Sequence, residues 1–264
     1  MPLKYWLVMP AAGAGRRFGE ALPKQYCPLL GRTVIEWSLR PFLEDPRCQD
    51  VMVALAADDP YWPAVAARLG RAVHTVVGGA ERGSSVLNAL RALAAKASEQ
   101  DWVLVHDAAR PCLPREDLDR LIEGLKDYQA GGLLAAPCAD TLKFGPATGG
   151  AVLVERTVDR TGLWRALTPQ MFRFGALRAA LEAALAQGRN PTDEAQALEW
   201  TGARVGLVAG SAANLKITTG PDLALAAAVL GWMRGAAAGP TGTGPAADPG
   251  VDPSMDNTGA FQQL

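Results

Sequence analysis

The chain has 264 residues, of which 49% are hydrophobic and 20% charged, which is enough apolar material for one globular domain with a full core. Its 26 basic and 27 acidic side chains leave a formal net charge of -1, so overall charge gives no support to binding of nucleic acid or of an anionic membrane. The cysteines are scattered without a C-x-x-C pair, which argues against a disulfide framework and against a zinc site.

The N-terminal segment imitates a signal peptide, because Lys4 precedes a short apolar run and a series of small residues. The apolar run before Pro10 is shorter than the roughly 7 to 15 residues of a signal peptide, and the unpatterned cysteines suit a reducing compartment. Near the C-terminus, the apolar stretch that begins at Leu223 falls short of the roughly 20 residues that a bilayer requires. We therefore expect a cytoplasmic protein.

Short apolar runs alternate with segments of helical period, and this alternation predicts β-α-β units around a mainly parallel sheet. The predicted strands are Trp6–Met9, Val51–Leu55, Val73–Val77, Trp102–His106, Leu133–Ala136 and Arg204–Val208. Apolar stripes at helical spacing comprise Val86, Leu90 and Leu93, then Leu118, Leu121, Ile122 and Leu125, and later Leu177, Leu181, Ala184 and Leu185.

Prolines mark several predicted helix boundaries. Pro114 and Pro221 stand where first-turn prolines are tolerated, and each is followed within two residues by an acidic side chain that suits a helix N-terminus. Pro41 should end or kink a helix that runs from Val34 to Phe42.

The stretch from Asp140 to Thr161 breaks the β-α rhythm. Thr141–Phe144, a turn rich in glycine and proline, and Ala151–Glu155 predict a β-hairpin. Because an isolated two-stranded hairpin is marginal in water, this arm should pack either on a second subunit or on its own domain.

The last thirty residues differ in composition from the rest. From Gly235 onward the chain is rich in Gly, Pro and Ala and contains no Lys or Arg, so it cannot supply a core. We expect one domain over residues 1–234 and a disordered acidic tail over residues 235–264.

The first predicted strand leads into a glycine-rich loop with basic residues. Glycines let backbone N–H groups approach a phosphate, and Arg16, Arg17 and Lys24 add positive charge. The G-x-G-x-x-x-G spacing is one residue longer than the dinucleotide fingerprint, and Gly19 is not followed by the lysine of a Walker loop. The alternative is a plain turn between a strand and a helix.

Two further strand ends carry candidate chemistry. Asp107 would face the same crevice as the glycine loop, where it could help to hold a divalent cation on phosphates. The plainer alternatives are that it caps the following turn or pairs with Arg110. His106 fits a packed, hydrogen-bonded residue better than a catalytic base. After an earlier strand end, that of Val73–Val77, Ser85 and nearby main-chain groups could bind the edge of a base, although a capped turn is the plainer interpretation. Later in the chain, Thr168, Thr192 and Lys216 stand in segments that by themselves indicate a turn, a helix cap and a charged strand residue.

Together these segments resemble the 2-C-methyl-D-erythritol 4-phosphate cytidylyltransferase family of the non-mevalonate isoprenoid pathway. The matching segments run in order: Pro10–Arg17, Pro23–Tyr26, Gly79–Ser85, Val105–Pro111, Asp140–Lys143, Thr157–Arg160, Leu163–Trp164, Ala166–Gln170, Thr192–Ala195 and Asn214–Thr218. The resemblance implies an α/β, Rossmann-like nucleotidyltransferase fold with a β-hairpin dimerisation arm at about residues 138–162. It also implies transfer of CMP from CTP to 2-C-methyl-D-erythritol 4-phosphate by a homodimer, with Mg²⁺ as cofactor. One departure is Ala139, where many relatives carry a basic residue.

The resemblance also implies roles for individual residues. Those that would hold phosphates and stabilise charge during the reaction are Arg17, Lys24 and Lys216. The nucleotide would contact Pro10, Ala11, Ala12, Gly13, Gly15, Gly79, Ser85, Asp107, Ala108 and Arg110, and Asp107 would also lie beside the metal. The second substrate would contact Thr141 and Arg160 from the arm of a neighbouring subunit, together with Thr168, Thr192 and Lys216 of the home subunit.

Two other functions stay open at this point. One is a cytidylyltransferase for another polyol phosphate, such as ribitol 5-phosphate, against which the Asp107–Pro111 segment and the arm pattern argue. The other is a non-catalytic nucleotide-binding protein, which should have lost charged residues such as Lys24, Asp107 and Lys216, all of which are present here.

Overall fold

The computed structural model describes residues 3–13, 22–146 and 152–237. The strands in these ranges are β1 (Tyr5–Pro10), β2 (Pro28–Leu29), β3 (Arg32–Thr33), β4 (Cys48–Leu55), β5 (His74–Val77), β6 (Trp102–Val105), β7 (Gly131–Pro137), β8 (Leu142–Phe144), β9 (Arg156–Val158), β10 (Trp164–Arg173) and β11 (Gly206–Ala209). The α-helices are α1 (Val34–Leu43), α2 (Trp62–Ala66), α3 (Arg82–Leu93), α4 (Arg115–Leu125), α5 (Phe174–Ala186), α6 (Glu194–Glu199) and α7 (Gly220–Ala237).

A seven-stranded sheet forms the centre of the fold, in the order β11-β7-β10-β6-β1-β4-β5. Its neighbouring strands pair in parallel except at β10, which runs antiparallel to both β6 and β7. All six predicted strands are present, so the prediction of a mainly parallel α/β sheet is confirmed. The sequence did not predict β10, because Thr168-Pro169-Gln170 resembles a turn. In the structure the register between β10 and β7 shifts between Ala166 and Gln170. Sheets tolerate proline at such irregularities.

The sheet separates two hydrophobic layers, and β1 shows how the alternation works. Tyr5, Leu7 and Met9 point to the layer that contains α1 and α4, whereas Trp6 and Val8 point to the layer that contains α3 and α5. This is the side-chain alternation expected of a strand buried on both faces. The three predicted helical stripes lie on α3, α4 and α5, and most of their side chains are buried against the sheet.

Helix boundaries differ slightly from the predicted ones. Pro41 does not end α1 at once: it lies in the last turn, and the helix continues to Leu43, because a proline so near the end interrupts few backbone hydrogen bonds. Pro114 is the N-cap of α4, and Pro221 is the second residue of α7. The last helix reaches Ala237, three residues into the segment expected to be a tail. Among the described residues, no helix combines the length and apolar character needed to cross a membrane.

The predicted hairpin exists, but its second strand was placed wrongly. β8 pairs antiparallel with β9, which begins at Arg156, whereas the prediction put this strand at Ala151–Glu155. Cross-strand pairs favour the observed register: Lys143 Nζ donates to Thr157 Oγ1 at 2.7 Å, and the Arg156 guanidinium lies 4.8 Å from the centre of the Phe144 ring. The described residues Val152–Glu155 form no strand, and residues 147–151 lie outside the described ranges.

Candidate active site

A cleft of about 720 Å³ opens at the carboxyl ends of β1, β5 and β6. Ligands bind at this edge of open α/β sheets, where loops from several strands meet. The structure brings the following predicted residues together in its lining: Pro10, Ala11, Ala12, Gly13, Lys24, Gly79, Ser85, Asp107, Ala108 and Lys216. Gly15 and Arg17, also predicted for this site, lie outside the described residues.

The loop after β1 is braced from below by Gln25. The Gln25 side-chain amide is buried and donates to the carbonyl oxygens of Ala11 at 2.9 Å and Gly13 at 3.3 Å. On the other side, the Ala11 N–H donates to the Ala54 oxygen at 2.8 Å. These hydrogen bonds fix the start of the glycine-rich loop. Gln25 belongs to the Pro23–Tyr26 segment that carries part of the family resemblance, but its role in supporting the loop was not predicted.

The turn after β5 forms the facing wall. Ser85 Oγ accepts a hydrogen bond from the Gly79 N–H at 3.0 Å. A Cβ atom on Gly78 would lie 2.5 Å from Ala12 Cβ and 2.9 Å from Ser85 Oγ, so the two loops approach this closely only because residue 78 is glycine. The result is a narrow slot with walls of backbone and small side chains.

A cluster of charges surrounds Asp107 at the floor of the cleft. Lys216 Nζ lies 2.8 Å from Asp107 Oδ2, Arg82 Nε lies 3.0 Å from Oδ1, and Arg110 Nε lies 3.4 Å from Oδ2. Burial alone would raise the pKa of the Asp107 carboxyl, but the charges of the three cations outweigh it and hold this pKa well below its usual range. Asp107 is therefore an ionised carboxylate with an excess of positive charge around it.

Arg82 and Glu194 form a second ion pair within this cluster. Arg82 Nη1 donates to Glu194 Oε1 at 2.6 Å and Nη2 donates to Oε2 at 3.0 Å, so the pair is bidentate. Burial raises the pKa of Glu194, and the guanidinium of Arg82 opposes this shift. Both residues stand in segments that carry the family resemblance, Gly79–Ser85 and Thr192–Ala195, yet neither was predicted as a site residue. The one available signal was Arg82's place at the start of a helix after a glycine turn.

Lys24 reaches the cleft from a 3-10 turn (Lys24–Tyr26), and its ammonium group donates to the Ile217 oxygen at 2.9 Å. Ile217 directly follows Lys216 in the chain. The two predicted catalytic lysines thus meet at the same edge of the cleft, although they come from opposite ends of the sequence.

Behind Asp107, a chain of hydrogen bonds passes through His106. The Asp107 N–H donates to Thr168 Oγ1 at 3.1 Å, Thr168 Oγ1 lies 3.0 Å from His106 Nδ1, and His106 Nε2 lies 3.1 Å from the Arg110 oxygen. These contacts are all satisfied when Nε2 carries the proton and the Thr168 hydroxyl donates to Nδ1. Burial lowers the pKa of His106 to about 4, in agreement with a neutral ring. The interpretation of His106 as a packed, hydrogen-bonded residue is confirmed.

Several predicted residues do not line the cleft of a single chain. Thr168 and Arg110 are buried behind Asp107, where Arg110 Nη1 donates to the Asn214 oxygen at 2.7 Å. Thr192 is exposed, and its N–H donates to Gln196 Oε1 at 2.8 Å. On the arm, Thr141 is exposed and Arg160 donates to the Ala139 oxygen.

Comparison with known proteins gives consistent results. A sequence profile described as "IspD: 2-C-methyl-D-erythritol 4-phosphate cytidylyltransferase" matches residues 5–232. The protein of that name from Ectopseudomonas mendocina is 54% identical over 235 residues, which cover 89% of this chain and 96% of the relative. The protein of the same name from Pseudomonas aeruginosa is 54% identical over 220 residues, which cover 83% and 93% of the two chains.

Solved structures agree with these relatives. A crystal structure of 4-diphosphocytidyl-2C-methyl-D-erythritol synthase superposes with a TM-score of 0.75 at 37% identity, and the match covers 87% of this chain and all (100%) of that one. The 2-C-methyl-D-erythritol 4-phosphate cytidylyltransferase from Thermus thermophilus gives a TM-score of 0.69 at 33% identity and covers 85% and 97% of the two chains. The fold is therefore that of a Rossmann-like nucleotidyltransferase, and the chain belongs to the 2-C-methyl-D-erythritol 4-phosphate cytidylyltransferase family.

Proposed function

We propose that this chain transfers the cytidylyl group of CTP to 2-C-methyl-D-erythritol 4-phosphate, giving 4-diphosphocytidyl-2-C-methyl-D-erythritol and pyrophosphate. The observation that carries the proposal is the meeting, in one cleft, of a narrow glycine-walled slot with the cationic cluster around Asp107. Membership of the family, over residues 5–232, supports the choice of both substrates.

The reaction makes specific demands on the site. A phosphate oxygen of methylerythritol phosphate attacks the α-phosphorus of CTP, a new P–O bond forms, and the bond to the β-phosphate oxygen breaks as pyrophosphate leaves. The attacking phosphate is already ionised, so the step needs neither a general base nor a covalent enzyme intermediate. Catalysis then depends on positioning two anions and on stabilising the charge that develops between them.

The basic residues of the cleft meet this demand. Lys216 and Lys24 enter from one edge, where their ammonium groups can stabilise charge on the five-coordinate α-phosphorus. Arg17 would hold phosphates beside them, as the family resemblance implies. The positive charges of Arg82 and Lys216 around Asp107 also oppose the electrostatic repulsion between the two substrates.

The slot suits the nucleoside. Its walls are the loop at Ala11–Gly13 and the turn at Gly79, so flat, hydrogen-bonding groups can approach main-chain atoms closely. Sites that pair every polar group of a base reject analogues strongly, because a mismatched base leaves buried groups unpaired. This provides a physical basis for selecting cytosine.

A divalent cation, expected to be Mg²⁺, is compatible with the residues present. The described residues contain no group of three metal-ligating side chains. However, Asp107 is an ionised carboxylate that lines the cleft, and Mg²⁺ is commonly held by one or two carboxylates while phosphates and water supply its other ligands. The two oxygens of Asp107 already contact cationic side chains, so the phosphates would supply most ligands of the ion and Asp107 would lie beside it. When bound, the ion would neutralise charge on the triphosphate.

We further propose that the enzyme is a cytoplasmic homodimer in which the arm contributes Thr141 and Arg160 to the neighbouring active site. The apolar side chains of Phe144, Val152 and Leu153 on the arm are 44%, 57% and 79% exposed, which leaves a surface suited to burial against a second subunit. Sedimentation of the purified protein should give the mass of a dimer, and a Leu153→Asp substitution should shift it towards the monomer.

One assay tests the central proposal. The purified protein is incubated with CTP and Mg²⁺, with either methylerythritol phosphate or ribitol 5-phosphate as acceptor, and pyrophosphate release is followed. We expect turnover with methylerythritol phosphate and at most a trace with ribitol 5-phosphate. Faster turnover with ribitol 5-phosphate would overturn the choice of acceptor, and CTP binding without pyrophosphate release from either mixture would indicate a non-catalytic protein.

A further inference from the structure

We propose that Glu194 is a positioning residue that fixes the orientation of the Arg82 guanidinium. In this orientation Arg82 donates to Asp107 through Nε–H alone. The second carboxylate oxygen of Asp107 can then contact and orient Lys216. The inference rests on the proposed function, because it assigns Lys216 a role in stabilising the reacting phosphate. Nothing in the sequence patterns assigned a role to Glu194.

The guanidinium of Arg82 is fixed by two carboxylates at once. Its Nη1 and Nη2 atoms donate to the two oxygens of Glu194 at 2.6 and 3.0 Å, and its Nε donates to Asp107 Oδ1 at 3.0 Å. A guanidinium is a rigid planar fork, so three hydrogen bonds from three nitrogens leave it no freedom to rotate. Asp107 Oδ2 is then left to Lys216 Nζ at 2.8 Å, with a longer contact of 3.4 Å from Arg110 Nε beside it.

Glu194 can act in this way because its own position is fixed. It is fully buried in the first turn of α6, whose N-cap Asp193 accepts a hydrogen bond from the Gln196 N–H at 2.9 Å. Gln170 on β10 donates to Asp193 Oδ2 at 3.0 Å and accepts from the Ala195 N–H at 2.9 Å. The short helix is thus anchored to the central sheet, and through Glu194 the sheet sets the orientation of Arg82.

Removing the charge of Glu194 should therefore change the cluster in two opposite ways. The released Arg82 fork can turn to Asp107 and bind both carboxylate oxygens, which displaces Lys216 from its partner. At the same time, the cluster of Arg82, Arg110 and Lys216 loses one of its two compensating carboxylates, so its net charge rises from +1 to +2 and its attraction for the triphosphate increases. Chemistry should slow while CTP binding does not weaken.

The test is the Glu194→Gln variant, which keeps the size of the side chain and removes its charge. We expect kcat for pyrophosphate release to fall about 10- to 100-fold, in line with the cost of a misplaced reacting group, while KM for CTP stays unchanged or falls. The matched control is Glu182→Gln, which removes an exposed carboxylate paired with Arg91 at 3.1 Å and should behave as wild type. Wild-type kcat in Glu194→Gln, or a rise in KM for CTP at constant kcat, would overturn the proposal.

A double-mutant cycle separates positioning from a purely structural role. If Glu194 acts through Arg82, the Arg82→Gln/Glu194→Gln double variant should lose no more kcat than Arg82→Gln alone. Losses that multiply would show independent actions and overturn the proposal. Should Glu194→Gln fail to fold, Arg82→Lys tests the same ion pair, because one ammonium group cannot reproduce the three hydrogen bonds of the guanidinium. Wild-type kcat in Arg82→Lys would overturn the proposal.

A spectroscopic measurement keeps this inference distinct from the proposed function. In ligand-free protein labelled with ¹⁵N-arginine, the bidentate contact to Glu194 should give separately resolved Nη protons for Arg82. In Glu194→Gln these signals should move to new positions, because the guanidinium leaves residue 194 and turns to Asp107. Averaged signals in the wild-type protein would refute the positioning role whether or not the protein turns over CTP. Absence of turnover with resolved signals would refute the proposed function alone.

Discussion

The Lys216→Ala substitution offers the sharpest separation of activity from stability in this protein. Lys216 Nζ lies 2.8 Å from Asp107 Oδ2, at the edge of the cleft where the proposed reaction takes place, and its side chain is 39% exposed. The substitution removes an ammonium group that would stabilise charge on the α-phosphorus. It leaves Asp107 paired with Arg82 and Arg110.

Two magnitudes decide the expected outcome. Loss of one pre-organised charge-stabilising group costs about 10²- to 10³-fold in kcat, equivalent to about 2.7–4 kcal/mol of transition-state stabilisation. A partly exposed ion pair contributes at most about 1 kcal/mol to stability, which for a domain of this size lowers Tm by about 2–4 °C. The effect on kcat should therefore exceed the effect on the free energy of unfolding severalfold.

The assay compares steady-state pyrophosphate release with thermal unfolding of the same preparations. Lys96→Ala is the matched control: Lys96 Nζ lies 3.1 Å from Asp50 Oδ2, its side chain is 52% exposed, and it does not line the cleft. The control should keep wild-type kcat with a similar small change in Tm. Wild-type turnover in Lys216→Ala, or a loss of kcat that merely tracks the unfolded fraction, would refute the assigned role.

Three further expectations concern other parts of the molecule. Arg160→Ala should raise KM for the polyol phosphate about 10- to 100-fold, the value of a lost charge-assisted hydrogen bond, and leave the Kd for CTP by calorimetry nearly unchanged; equal weakening of both would argue against an arm that serves the second substrate. Burial lowers the pKa of His106 to about 4 in the folded protein, against an ordinary value of 6.5 in the unfolded chain. Between these two pH values the unfolded chain binds more protons, so the free energy of unfolding should fall by about 3 kcal/mol as the pH drops through this window. Urea unfolding at a series of pH values measures this pH dependence, which should be smaller in His106→Gln than in wild type. An equal pH dependence in the variant would be inconsistent with a neutral buried ring. Gly78→Ala places a Cβ atom 2.5 Å from Ala12 Cβ, so it should force the two walls of the slot apart. The free energy of unfolding should fall by about 1–3 kcal/mol and CTP should bind more weakly. Wild-type affinity for CTP by calorimetry would contradict the close approach of these loops.

The sequence predicted those parts of the fold that leave a periodic signal. Buried strands such as β1 and β6 read as short apolar runs, and α4 places Leu118 and Leu121 on one face, so both kinds of element were found. The strand β10 was missed because proline and polar residues at its centre look like a turn. Its place between β6 and β7 is determined by pairing with strands distant in the chain, which a local pattern does not contain.

The site was predictable to the extent that its residues stand at strand ends. Asp107 and the loops at Gly13 and Gly79 follow predicted strands, and the family resemblance added Lys24 and Lys216. The bridge between Arg82 and Glu194 was missed because its two members are 112 positions apart and each has an ordinary local explanation as a residue of a helix's first turn. Arg82 and Glu194 come together because α3 packs against α5 and α5 packs against α6.

The antiparallel pairing of β7 with β10 has a consequence for engineering. Trp164 lies opposite Pro137, and the Cys138 N–H donates to the Leu163 oxygen at 3.0 Å, so the chain leaves and re-enters the sheet at nearly the same point. The arm is thus an insertion at the tip of one long hairpin. Antiparallel strands can be joined by a tight turn. A short connector from Pro137 to Trp164 would therefore remove the arm and leave the strand order of the sheet unchanged.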